Sequence, residues 1–157
     1  SKLISIRKWP LEKYAKLVKR LVEDKDVFIA ITGVSSEMPD AEFITDYVKN
    51  NRVINLTGKT TLRELIDLFN IGKILITNDS GPAHFASLTG IHIVVFFGPE
   101  TPELYRPLTG NCTVMYSNYA CSPCVSAYNQ RLSPCNDNLC LKSIDVEKAY
   151  NIVKKLI

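Results

Sequence analysis

No apolar run in this chain approaches the ~20 residues that a helical membrane span requires, and no signal-peptide pattern opens it. Net charge is also scarce: 19 basic against 16 acidic residues leave +3, too small an excess to argue for nucleic acid. No basic stripe interleaved with aromatic residues runs along any segment. The dinucleotide fingerprint G-x-G-x-x-G is missing. Gly58-Lys59-Thr60 has the end of a phosphate loop without the first glycine at the required spacing, so a nucleotide triphosphatase is not indicated. Internal repeats and low-complexity linkers are absent as well. What remains is ordinary globular composition: 157 residues, 46% hydrophobic and 22% charged, enough for one domain with a real core.

Cysteine is the compositional anomaly, with four of the five residues between Cys121 and Cys140. An odd total without a secretory signal argues against a disulfide framework. The spacing Cys121-x2-Cys124-x10-Cys135-x4-Cys140 allows a structural zinc site; reduced, unliganded thiols and disulfides are the competing readings, and Cys112 is left over in any of them. The sequons at Asn78 and Asn111 are read as chance.

Apolar periodicity predicts alternating helices and strands. Leu11, Tyr14, Ala15, Val18, Leu21 and Val22 recur at helical spacing, with lysine, arginine and glutamate on the other face. Val27 to Thr32 reads as a strand, about Asp40 to Val48 as a helix, and Val53 to Leu56 as a short strand. Thr61-Leu-Arg-Glu64 is a capping box opening a helix whose Leu62, Leu65, Ile66 and Phe69 share a face. Lys73 to Thr77 and Ile91 to Phe97 are strands too apolar for a half-exposed sheet. Between them Pro82 starts a helix expected to bury Phe85, Ala86 and Leu88 until Gly90. The proline-rich stretch through Pro107 is expected to be irregular, residues 111–116 form one more strand, and a Cys-rich loop fills 117–140. A closing helix over about 145–157 buries Val146, Ala149, Tyr150, Val153 and Leu156. The fold class is therefore α/β: a Rossmann-like parallel sheet with helices on both faces.

In open sheets of this kind ligands sit beyond the carboxyl ends of the strands. Four such ends carry small, hydroxyl-bearing or charged residues with glycine: Thr32-Gly-Val-Ser-Ser-Glu37, Asn55-Leu-Thr-Gly-Lys-Thr60, Asn78-Asp-Ser-Gly81 and Gly98-Pro-Glu-Thr101. The third is the most informative. A buried strand, a small polar turn and a helix start would point the N–H groups near Ser80, Gly81 and Ala83 at an anion.

Arg7-Lys-Trp-Pro10, Glu37 after Thr32-Gly33, Gly58-Lys-Thr-Thr-Leu62, Asp79-Ser-Gly-Pro-Ala-His-Phe-Ala86 and Phe97-Gly-Pro-Glu-Thr-Pro102, in this order and spacing, resemble glycosyltransferase family 9, the ADP-heptose:lipopolysaccharide heptosyltransferases. The Cys121-Ser-Pro-Cys124 to Cys140 stretch and the closing helix also look like that family. The resemblance implies a GT-B fold, two Rossmann-like domains facing across a cleft. Residues 1–157 look like its C-terminal donor-binding domain, with the N-terminal acceptor domain absent and the opening Lys2 to Ile6 entering after the domain's first strand. It further implies an inverting enzyme that needs no metal or other cofactor and takes an ADP-sugar donor. The lipid-linked saccharide acceptor is engaged through the missing domain, in the cytoplasm at the inner face of the inner membrane.

Carried onto this chain, the resemblance implies donor contacts from Arg7, Lys8, Thr32, Glu37, Lys59, Thr60, Asp79, Ser80, Gly81 and His84. Arg7 or Lys8 would supply positive charge to the leaving diphosphate, and N–H groups at Ser80 and Gly81 would meet its oxygens. Glu37 would take the ribose hydroxyls, and Asp79 would lie beside the transferred sugar. No catalytic base is evident, and the resemblance implies that it belongs to the acceptor domain.

Plainer roles compete. Asp79 and Ser80 could only cap the helix at Pro82, His84 and His92 could be structural hydrogen-bonders, Trp9 could pack the first helix, and Glu37 could be surface. The rival reading of the whole chain is a noncatalytic module of the same fold that binds a phosphorylated ligand or a protein.

Overall fold

The computed structural model describes residues 6–130 and 132–157; most of the opening segment Lys2 to Ile6 lies outside the described residues. Helix α1 (Leu11–Asp24) leads into strand β1 (Ile29–Ile31), a 3-10 turn (Ser35–Glu37), α2 (Met38–Val48), β2 (Val53–Asn55), α3 (Leu62–Ile71) and β3 (Ile74–Asn78). Then follow α4 (Gly81–Ala86), β4 (His92–Phe97), α5 (Pro102–Tyr105), β5 (Cys112–Tyr116), α6 (Leu139–Lys142) and α7 (Val146–Leu156). All strand pairs are parallel, as the continuous apolar runs predict. They form two ladders, β1-β2 and β3-β4-β5, and among the described residues β1 does not pair with β3.

Strand β4 shows why helices cover both faces. Alternate side chains of a strand point to opposite sides. Ile93, Val95 and Phe97 pack with Phe69 of α3 and Ala83 and Ala86 of α4, while Val94 and Phe96 pack with Trp9, Leu21 of α1 and Tyr150 and Val153 of α7. A third cluster joins Ala15, Val18 and Val22 of α1 to Ile44 and Val48 of α2. Trp9 packs as expected: it stacks on Phe96 at 4.3 Å between ring centroids, meets Tyr14 edge-on, and donates from Nε1 to the Ile144 carbonyl at 3.2 Å.

Several local expectations change. The proline-rich stretch contains one helical turn, α5, because Thr101 accepts a hydrogen bond from the Glu103 N–H at 3.3 Å and Pro102 sits at the first helical position, where a missing N–H costs nothing. Helix α4 is short and buries Ala83 and Ala86, whereas Phe85 is 38% and Leu88 77% exposed. The Thr61–Glu64 capping box is formed, but Leu62 faces solvent and only Phe69 of its apolar stripe is fully buried. The Cys-rich loop ends early in α6, which places Cys140 on a buried helical position.

Tyr14 provides a pH test of this packing. Its hydroxyl end lies inside, donating to Asn78 Oδ1 at 3.1 Å, and burial raises the phenol pKa above the ordinary tyrosine range. A raised folded-state pKa means that stability is fully present below the unfolded value of about 10 and is lost as pH rises above it. Tyr14→Phe is therefore expected to flatten the alkaline fall of stability between about pH 10 and 12. At pH 7 the cost is about 1 kcal/mol for the lost hydrogen bond, read from urea melts at both pH values.

Candidate functional site

The chain reaches the sheet through Arg7-Lys8-Trp9, and asparagines hold this segment from two sides. Asn138 Nδ2 donates to the Lys8 carbonyl at 2.8 Å and to that of Ile6 at 3.3 Å, while Asn78 Oδ1, at the end of β3, accepts from the Trp9 N–H at 2.8 Å. Arg7 and Lys8 are thereby aimed in separate directions. Arg7 reaches the carboxyl ends of β3 and β4, where Nη2 lies 2.6 Å from Glu100 Oε1 and Nη1 lies 3.9 Å from Asp79 Oδ2. Lys8 reaches the turn after β1, where Nζ sits 3.0 Å from Asp40 Oδ2 and 3.3 Å from Glu37 Oε1.

The two cations differ in what they can still bind. Asp79 and Glu100 are buried, 8% and 2% exposed. The contact from Arg7 to Glu100 is close in distance but not aligned as a hydrogen bond, and the buried Arg7 Nε and Nη2 have no hydrogen-bond acceptor. Buried N–H donors left this way are costly. Lys8 is committed to partly exposed acids. Its burial opposes the charged form, but Asp40 and then Glu37 outweigh that effect and raise its pKa.

Glu37 is not plain surface. Its Oε2 accepts from the Val34 N–H at 3.2 Å, folding back over Gly33, where an added Cβ would lie 2.8 Å from that oxygen. Gly33 and the next strand end are joined, since the Gly58 N–H donates to the Gly33 carbonyl at 2.8 Å. Gly58 has φ +70° and Ser35 against it, with Ser35 Oγ 2.7 Å from where a Cβ would sit; only glycine suits both conditions. Thr32 stands in this junction, half-buried. Lys59 and Thr60 turn elsewhere: Lys59 Nζ donates to the Asn55 carbonyl at 2.9 Å, and both residues line a depression with Glu64, Asp67, Leu68 and Ile71.

At the turn after β3 the anion-binding argument moves from backbone to side chain. The Ala83 N–H is taken by the Ser80 carbonyl at 3.1 Å, and α4 has six residues, so its dipole is small. Ser80 occupies the N-cap position without a capping bond; its hydroxyl donates to the Asn78 carbonyl at 3.1 Å. Asp79 faces Arg7. Ser80 is thus not a side-chain cap. Gly81 has space beside it, with Phe85 Cε2 3.6 Å from a notional Cβ. His84 is exposed, which removes the reading of a buried structural histidine there, whereas His92 is structural, its Nε2 2.8 Å from Thr113 Oγ1.

The zinc arrangement is not formed: among the described residues no three of His, Cys, Asp and Glu are grouped to hold a metal. Cys124 Sγ accepts from Ser133 Oγ at 3.3 Å, and Cys135 Sγ lies 3.2 Å from the Asp137 carbonyl. Cys121 is exposed while Cys140 is buried; burial first, and then the nearby Cys124, Cys121 and Cys135, push the Cys140 thiol pKa up. Residues missed in the sequence are Glu100, Asp40, Asn78 and Asn138. Glu100 and Asn78 stood within strand-end motifs, and Glu100 could have been found by asking which acid Arg7 would meet; nothing local marks Asn138.

A parallel α/β sheet whose strand ends gather a partly buried arginine, two buried carboxylates and a glycine-closed acidic turn defines a Rossmann-like protein with its charged groups where sheets of this class hold ligands. The family model described as glycosyltransferase family 9 (heptosyltransferase) matches residues 2–133, and the chain belongs to that family. It is similar to lipooligosaccharide heptosyltransferase 2 of Campylobacter jejuni, 28% identical over 97% of this chain and 48% of the relative. The protein of the same name from Haemophilus influenzae is 30% identical over 69% of this chain and 32% of its own length. Among solved structures, Escherichia coli ADP-heptose LPS heptosyltransferase II superposes with TM-score 0.75 at 22% identity, over 96% of this chain and 42% of that one. An E. coli heptosyltransferase with ADP superposes at TM-score 0.73 and 16% identity, over 96% and 40% of the two chains. The chain thus spans about half the length of its best-covered relatives. Among the described residues no helix is long and apolar enough to cross a membrane.

Proposed function

We propose that this chain is the donor-binding, C-terminal half of an inverting GT-B glycosyltransferase that transfers heptose from ADP-heptose to a lipopolysaccharide-type acceptor. The observation that carries the reading is Arg7, held beside Asp79 and Glu100 with buried N–H groups lacking an acceptor. When the glycosidic bond breaks, negative charge develops on the leaving diphosphate, and a guanidinium at that point stabilises it more than it stabilises the bound donor. Glu37, fixed by the Val34 N–H, accepts the ribose hydroxyls; Thr32 borders that side, while Lys59 and Thr60 turn away from it. Ser80, Gly81 and the exposed His84 edge the diphosphate and Asp79 the sugar. The base that takes the acceptor proton comes from outside residues 1–157, and the acceptor is presented at the cytoplasmic face of the inner membrane.

Calorimetric titration of the protein with ADP, ADP-heptose, UDP and GDP tests this. Saturable binding of ADP and ADP-heptose, at least about tenfold tighter than UDP or GDP, is the expected result. A folded sample that binds none of the four would overturn the reading, and preference for UDP or GDP would overturn the donor assignment.

A further inference from the structure

We infer that Glu100 is a positioning residue, holding the Arg7 guanidinium by one nitrogen, Nη2, so that Nη1 faces the donor diphosphate. This rests on the donor-site reading above and deepens it. Glu100 is among the largest fully buried side chains of the chain, 2% exposed, and a carboxylate is kept in such a place only with a cation or donors beside it. Its Oε1 is 2.6 Å from Arg7 Nη2. Guanidinium presents five N–H groups in a rigid planar fork, so a contact at Nη2 sets the direction of Nε and Nη1. Nε is buried, whereas Nη1 stands 3.9 Å from Asp79, beyond hydrogen-bond reach, and is the nitrogen left to meet a ligand.

The turn that carries Glu100 is built to stay still. Gly98 has no room for a side chain: a Cβ would fall 2.5 Å from Leu141 Cγ and 3.1 Å from Cys140 Sγ. The Pro99 carbonyl accepts from the N–H groups of both Cys124 and Val125 at 2.9 Å, and Ser122 Oγ donates to the Gly98 carbonyl. The other end of the same Cys-rich loop supplies Asn138 to the Ile6 and Lys8 carbonyls. One loop therefore clamps both the backbone that bears Glu100 and the backbone that bears Arg7, fixing their separation.

The test compares ADP with adenosine, which lacks the phosphates. Glu100→Gln is expected to weaken ADP about tenfold and leave adenosine within about twofold, because only the phosphate contact depends on Arg7. In the double variant Arg7→Gln/Glu100→Gln, ADP should bind no more weakly than in Arg7→Gln, as required of a residue that acts through another. Equal loss for both ligands would reveal a merely structural role, and unchanged or tighter ADP binding would mean that Glu100 does not orient Arg7; either overturns the inference. If Glu100→Gln does not fold, Glu100→Asp takes its place, with the same selective loss of ADP expected. Failure of the unsubstituted protein to bind ADP would instead sink the donor-site reading.

Discussion

Arg7→Gln is expected to weaken ADP binding by about 10- to 100-fold, since a charged hydrogen-bond donor contributes about 1.5–3 kcal/mol and each 1.4 kcal/mol is tenfold. The same substitution should lower stability by about 3 kcal/mol, because it leaves two buried carboxylates, Asp79 and Glu100, without the cation they share. The low end of the range for broken buried pairs applies, as the Arg7 side chain keeps 20% of its surface in water. Lys8→Gln is the matched control. Lys8 meets Glu37 and Asp40 where all three side chains are 38–47% exposed, and pairs of that kind contribute at most about 1 kcal/mol. Titration calorimetry and urea melts on both variants decide which neighbouring cation serves the diphosphate. ADP affinity within threefold of the unsubstituted protein for Arg7→Gln, with a larger loss for Lys8→Gln, would reverse the assignment.

Trp9→Ala is expected to cost about 3–5 kcal/mol, the range for emptying a large aromatic site in a core. Trp9 is 1% exposed, stacked on Phe96 of the central strand, and anchored through Nε1 to the Ile144 carbonyl before α7. Removing the indole opens a cavity between α1, β4 and α7 and leaves a buried carbonyl with one partner fewer. Because Trp9 follows Arg7 and Lys8 directly, ADP affinity should fall with it. A melt showing less than 1 kcal/mol of loss would mean that the cluster collapses around the gap and that Trp9 does not set the site's position. Trp9→Phe, which retains the stack but not the Nε1 donor, should recover more than half of the stability.

Much of the architecture was legible because it depends on short-range patterns. The spacing of Leu11, Tyr14, Ala15, Val18, Leu21 and Val22 reports a helix with one apolar face, and Ala15, Val18, Leu21 and Val22 of that set are buried together with Leu17. Ile91 to Phe97 read as a doubly buried strand for the same reason, and both faces of β4 (His92–Phe97) are covered. Phe85 and Leu88 misled because hydrophobicity alone does not reveal that a six-residue helix ends before a second turn can bring them inward. The proline-rich stretch misled in the opposite sense. Pro102 at a first helical position begins a turn instead of preventing one.

The candidate site divides in the same way. Arg7, Glu37, Asp79 and Ser80 could be named from strand-end position and family pattern, yet their partners could not. Lys8 meets Asp40 across 32 positions and Asn138 holds the Lys8 carbonyl across 130, and no local periodicity encodes such a pairing. The sequence by itself determined the alternation of parallel strands and helices, the rim of polar strand ends, and the family, since all are carried by residues near one another in the chain. Only the tertiary structure decided that Arg7 and Lys8 part company, that Glu100 joins the buried charges, and that the Cys-rich loop serves as a clamp. Those outcomes depend on which side chains meet when distant strand ends converge, and on whether burial leaves each polar group an acceptor.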